Sequence, residues 1–233
     1  MADLYEVLAA TWPAEESCTK GPWLLRRSTG GGNRVTAASL VGNAGDLETA
    51  EATMRGWGQP PLFQVRDHQT DLDARLAARG YIARDHTVIL AGPSHELASD
   101  DLNETTIFCE APLAGMAEIW LAGGIGRDRL AVMSRALGPK TWIMGREGDR
   151  PVAAGFVAIH DGVAMLHALE VLPAARLRGV GARVTRAAAA WAKMRNASLF
   201  SLAVTEANAG ARALYAGLGM EERARYHYRI QQD

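Results

Sequence analysis

The chain has 233 residues, 48% hydrophobic and 22% charged, enough to bury a substantial core as one large or two small domains. With 25 Lys and Arg against 26 Asp and Glu, it lacks the basic excess that would neutralise a nucleic-acid backbone, so no nucleic-acid partner is expected. Two cysteines, Cys18 and Cys109, are too few for a disulfide framework and fit a reducing cytoplasm; neither a secretory signal nor an apolar run of roughly 20 residues is present, so no membrane partner is expected.

In chain order, residues 72–79 read as a helix closed by Gly80, and residues 82–90 as a strand. Turn formers concentrate at 92–103, which reads as a linker between domains spanning 1–95 and 104–233. Beyond it a short strand at 105–110 and helices at 113–121 and 127–137 are expected, then strands at 141–146, 152–160 and 163–171. Asp161-Gly162 marks a hairpin, because a type I′ turn needs positive φ at both central positions. An amphipathic helix at 179–195, a strand at 199–204, a helix at 209–218 closed by Gly219 and a strand at 222–230 complete the order. The fold class is mixed α/β, a mostly antiparallel central sheet flanked by helices. Gly30-Gly31-Gly32 and Gly123-Gly124-x-Gly126 lack the context of a phosphate site and read as mobile turns.

The chemistry concentrates late in the chain. In Arg176-Leu177-Arg178-Gly179-Val180-Gly181-Ala182 two glycines offer bare backbone at the start of a helix, where N–H groups and the helix dipole favour an anion. Val184 stands where a dinucleotide-binding fingerprint needs its third glycine. Asn208 and Tyr215 lie seven residues apart, on one helical stripe, with the small Ala211 between them. Asn208 also suits a plain N-cap, and Tyr215 a packed aromatic. No histidine shows ligand spacing, and no metal is expected.

Together, Arg176-x-x-Gly179-x-Gly181 and Asn208-x-x-Ala211-x-x-Leu214-Tyr215-x-x-x-Gly219 resemble the motifs of the GNAT superfamily of N-acetyltransferases, over about fifty residues from Leu169 to Met220. Leu177 replaces a frequent glycine and Met220 a usual aromatic. The resemblance implies a GNAT acyl-CoA N-acyltransferase fold and acetyl-CoA as co-substrate. Its pyrophosphate would sit on residues 176–182, its pantetheine arm along the backbone of Leu169, Glu170 and Val171, and the helix of Asn208, Ala211 and Tyr215 would flank it. Tyr215 would protonate the departing thiolate. Arg176 and Arg178 either face the phosphates or stay solvated with only their amides engaged.

An attacking amine must be neutral, which an α-amine of pKa about 8 manages far more readily at pH 7 than a lysine of about 10.4. Met165 and Ala203 stand where some family members carry carboxylates, leaving His167, Glu170 and Glu206 as candidate bases. Tyr226 and Tyr228, on the last strand, either touch the acceptor or pack against a helix. The expected activity is acetyl transfer to a primary amine of a small molecule or peptide; the alternative is a non-catalytic acyl-CoA sensor or scaffold. Whether chains form a homodimer is left open. The first half echoes the second: Gly80-Tyr81 aligns with Gly219-Met220, Gln69 with Asn208 and Leu76 with Tyr215, with nothing at the arginine–glycine loop. It reads either as a degenerate GNAT-like copy without chemistry of its own or as the common helix-Gly-strand punctuation.

Overall fold

The computed structural model describes residues 2–42, 45–99 and 105–231. Its first half runs α1 (Leu4–Thr11), β1 (Glu16–Lys20), β2 (Trp23–Arg27), β3 (Ala38–Leu40), α2 (Leu47–Gly56), β4 (Leu62–Arg66), α3 (Thr70–Ala78) and β5 (Tyr81–Pro93). After the short α4 (Ser94–Leu97) come β6 (Thr106–Cys109), α5 (Ala114–Ala122), α6 (Arg127–Arg135), β7 (Lys140–Glu147), β8 (Arg150–His160), β9 (Val163–Val171), α7 (Val180–Met194), β10 (Leu199–Thr205), α8 (Ala209–Gly217) and β11 (Glu221–Gln231).

The succession β1-β2-β3-α2-β4-α3-β5 recurs as β7-β8-β9-α7-β10-α8-β11. In each copy the third and fourth strands pair in parallel across a helical crossover, and all other neighbours are antiparallel. Each copy also ends its last helix on a left-handed glycine, Gly80 at φ 82° and Gly219 at φ 84°, as a chain leaving a helix for a strand requires.

The two copies share one eleven-stranded sheet in the order β1-β2-β3-β4-β11-β5-β10-β9-β8-β7-β6. The closing strands are exchanged. β5 pairs with β10 of the second copy from Thr87↔Thr205 to Pro93↔Leu199, and β11 pairs with β4 of the first. Asp73 on α3 holds the guest strand, accepting from Arg229 through both carboxylate oxygens at 2.7 Å and meeting His227 Nε2 at 2.6 Å. The span expected to be a linker is therefore largely structural: β5 reaches Pro93, and Ser94 and Leu97 of α4 are buried. Its residues 100–103 lie outside the described residues.

Strand alternation assigns the core. On β8, Ala153, Val157 and Ile159 join the cluster beneath α7, while Ala154, Phe156 and Ala158 face the one beneath α5 and α6. A third cluster lies under α2 and α3, and a fourth, including Val7, Leu8, Ile89, Met165, Tyr226 and Tyr228, under α1. The Gly30-Gly31-Gly32 turn is packed, not loose. A Cβ on Gly30 would come within 2.4 Å of the Asp128 side chain, and one on Gly31 within 2.7 Å of Val132, so glycine lets this loop lie against α6.

The parallel pairs end differently in the two copies. In the first, the Gln69 side chain laces the strand ends together, its Oε1 accepting from Arg66 N at 3.0 Å and its Nε2 donating to Leu40 O at 2.9 Å. In the second, Asn208 turns back to accept from Ala211 N at 3.0 Å, and the strand ends stay apart.

Candidate active site

β9 and β10 pair only from Val163↔Leu199 to Leu166↔Leu202, after which they splay. At the splay β9 carries a bulge: Ala168 adopts φ 50°, and the β8 register shifts between Ala154 and Phe156. The Trp120 indole on α5 donates to the Ala168 carbonyl at 2.8 Å and holds the bulge in place. Residues 167–171 thus pair with β8 on one side and turn their other edge to the cleft.

The turn after β9 leads to the amides of α7. Gly179 is the N-cap at φ 77°, and no side chain caps this end, so the first-turn amides of Val180, Gly181 and Ala182 remain available to an anion. Gly181 serves packing instead: a Cβ there would lie 3.1 Å from the Leu214 side chain on α8. Leu177, where a glycine is frequent, sits fully exposed at φ 59°, a conformation that costs an L-residue about 1–2 kcal/mol. Both arginine side chains are turned to carboxylates, Arg176 to Glu170 and Arg178 to Glu147, each at 3.0 Å. Arg176 Nε also donates to Val171 O. The donors left uncommitted at this turn are those of the backbone.

A cavity of about 480 Å³ fills the splay, lined by Leu166, His167, Ala168 and Leu169 of β9, by residues 202–205, and by Asn208, Ala211 and Tyr215. Tyr215 is 7% exposed, and burial pushes its phenol up to about 12. The motif residues 208, 211 and 215 are brought together on one wall. Tyr226 and Tyr228 line the same cavity, although both are buried. Glu170, paired to Arg176, lies against Gly123 and not among the lining residues; Glu206 pairs with Arg225 at 3.0 Å in a neighbouring pocket.

His167 is enclosed, with the Trp12 ring tilted against it at a centroid distance of 5.0 Å. The Thr11 hydroxyl donates to Val7 O at 2.7 Å, so it accepts from His167 Nε2 at 2.8 Å, and the ring is the Nε2–H tautomer with a lone pair on Nδ1. Burial, and secondly the Arg34 charge, hold its pKa well below the ordinary 6.5. The unfolded chain therefore binds this proton more readily than the folded one. Stability from His167 is fully present above about pH 6.5 and is lost as pH falls through the lower folded value. Melting temperatures measured from pH 7.5 down to pH 5 are expected to fall more steeply for the native chain than for His167→Gln; equal slopes would contradict this.

The first half supplies part of the cavity wall: Trp12, Gly31, Gly32, Asn33, Arg34, Asp85 and Thr87. Sequence reasoning places no chemistry there; the available signal is the glycine run directly before Asn33-Arg34, which reads as a turn.

A sequence model of the acetyltransferase (GNAT) family matches residues 107–220. An uncharacterised N-acetyltransferase of Bacillus subtilis (strain 168), YobR, is 26% identical over 236 residues, covering 95% of each chain. Over residues 107–220 the chain matches the GNAT family. Its GNAT fold extends beyond the matched span. A GCN5-related N-acetyltransferase from Kribbella flavida superposes with a TM-score of 0.75 at 19% identity, covering 99% of this chain and 95% of that one. A tandem GNAT protein from the clavulanic acid biosynthesis pathway gives 0.64 at 13% identity, covering 97% and 86%. The order of elements repeats, and the parallel pair is splayed open only in the second copy.

Proposed function

We propose that this GNAT protein transfers an acetyl group from acetyl-CoA to a primary amine by direct attack. The observation that carries the reading is the unlaced parting of β9 and β10, with Tyr215 on its wall and the uncapped amides of α7 beyond its end. The first-turn amides at Gly179–Ala182 would take the diphosphate, the free edge of β9 would pair with the pantetheine arm, and the bulge at Ala168 would aim backbone at the thioester carbonyl. Tyr215 donates to the sulfur as it leaves. His167, neutral at physiological pH, is the proton acceptor we assign through Nδ1.

The Arg34 charge that depresses His167 also favours a neutral amine, which lessens the demand on any base. The acceptor is a small molecule or peptide reached through the same cavity. Two free cysteines support a reducing compartment such as the cytoplasm; no helix among the described residues is long and apolar enough to cross a membrane. Calorimetry with acetyl-CoA, paired with thiol release over a panel of amines, tests the reading. One-to-one uptake and turnover are expected. Failure to bind acetyl-CoA would end it, and binding without turnover by any amine would leave the sensor role.

A further inference from the structure

Arg34 follows the packed glycine turn and lines the cavity. Its Nη2 donates to Ala203 O at 3.3 Å, one residue past the last paired position of β10, and among the described residues it has no carboxylate partner. Around it stand the Tyr226 and Tyr228 rings, 2% and 3% exposed, whose buried hydroxyls have no hydrogen-bond partner of proper geometry although both lie beside the guanidinium. Arg26 borders the same Tyr228, is itself buried, and bonds only to neutral oxygens, Ala37 O and Ser39 Oγ. Arg129 lies on the wall next to Gly32. The one carboxylate on the cavity wall, Asp85, is exposed and accepts from Asn33 at 3.1 Å.

Arg34 is half-buried and Arg26 buried, and such positive charge without a counter-ion is costly; neutral His167 supplies none. The donor's phosphates would sit at α7, at the far end of the splay, and its thioester is uncharged. The missing negative charge therefore has to arrive with the acceptor. We propose that the acceptor amine carries a carboxylate, bound by Arg34; this rests on the acyl-transfer reading above. A planar guanidinium matches a carboxylate through two parallel N–H donors, and the two phenols beside it hold its plane. The cavity, about 480 Å³, must also admit the acetylated end of the donor, which limits the acceptor to a molecule of amino-acid size.

The test uses the full chain and pairs of amines that differ only in the carboxylate, amino acids against their carboxamides. Thiol release is expected to favour the acids by about 100-fold in kcat/KM, since a site built for a charged partner is left unsatisfied by the neutral analogue. Arg34→Gln should erase that preference through acceptor KM, Arg34→Lys should keep part of it, and acetyl-CoA affinity should be unchanged in both.

Calorimetry with N-acetyl amino acids against their carboxamides reads the same site without turnover. Arg34-dependent binding of the acids with no thiol release from any amine would sink acyl transfer and leave the carboxylate site standing. Equal or better use of carboxamides, a fall in kcat with acceptor KM unmoved, or no binding of any N-acetyl amino acid would overturn the proposal.

Discussion

Replacing Tyr215 by phenylalanine is expected to lower kcat about 100-fold while acetyl-CoA affinity stays within a factor of about two. General acids contribute roughly 10² to 10⁴. The low end applies here because a phenol at about 12 facing a thiolate of about 8.5 is a reluctant acid; complete transfer would be uphill by about 5 kcal/mol. On the proposed reading its contribution is a hydrogen bond to sulfur as negative charge develops, made in a buried setting where such bonds are strong. The ring remains in Tyr215→Phe, so the wall against the donor keeps its shape. Single-turnover rates with a fixed amine, alongside calorimetry, separate the two effects. A variant with native kcat would remove Tyr215 from the chemistry.

The second large effect concerns the exchanged strands. Residues 104–233 expressed alone are expected not to reproduce the native domain, although every cofactor motif lies within them. β5 supplies Val88 and Leu90, and α4 supplies Leu97, to the cluster beneath α7. Losing three such buried side chains removes roughly 5–9 kcal/mol, comparable with the 5–15 kcal/mol that holds a domain folded. Asp73, the partner of Arg229 and His227, leaves with the first half as well. Denaturant unfolding of this fragment should show a weak or absent cooperative transition, and co-expression with residues 1–99 should restore one. A fragment that unfolds cooperatively at the native midpoint and turns over the same amines would refute this.

Much of the second half was legible because its signals are local. Residues 163–171 form β9 with the bounds read from apolar patterning and the Asp161-Gly162 turn. The buried stripe of α7, including Val180, Val184, Ala188 and Trp191, follows from its 3.6-residue period. The spacing of Asn208 and Tyr215 puts both on the cavity, since seven residues are close to two helical turns. The first half was harder. β1 and β3 are short, and β3 buries all three of its residues, so neither shows an alternation long enough to read.

What the chain encoded in its own neighbourhoods was the order of elements, the arginine–glycine turn and the stripe of Asn208, Ala211 and Tyr215. Those depend on backbone preferences and on residues a few positions apart. Which strand lies beside which was decided only in three dimensions. β5 fits next to β4 or next to β10 by the same pattern, and contacts such as Asp73 with Arg229, separated by 156 positions, select between them. The inner end of the cavity belongs to that second class. Arg34, Tyr226 and Tyr228 come from opposite ends of the chain, and they meet because the exchange carries β11 into the first half.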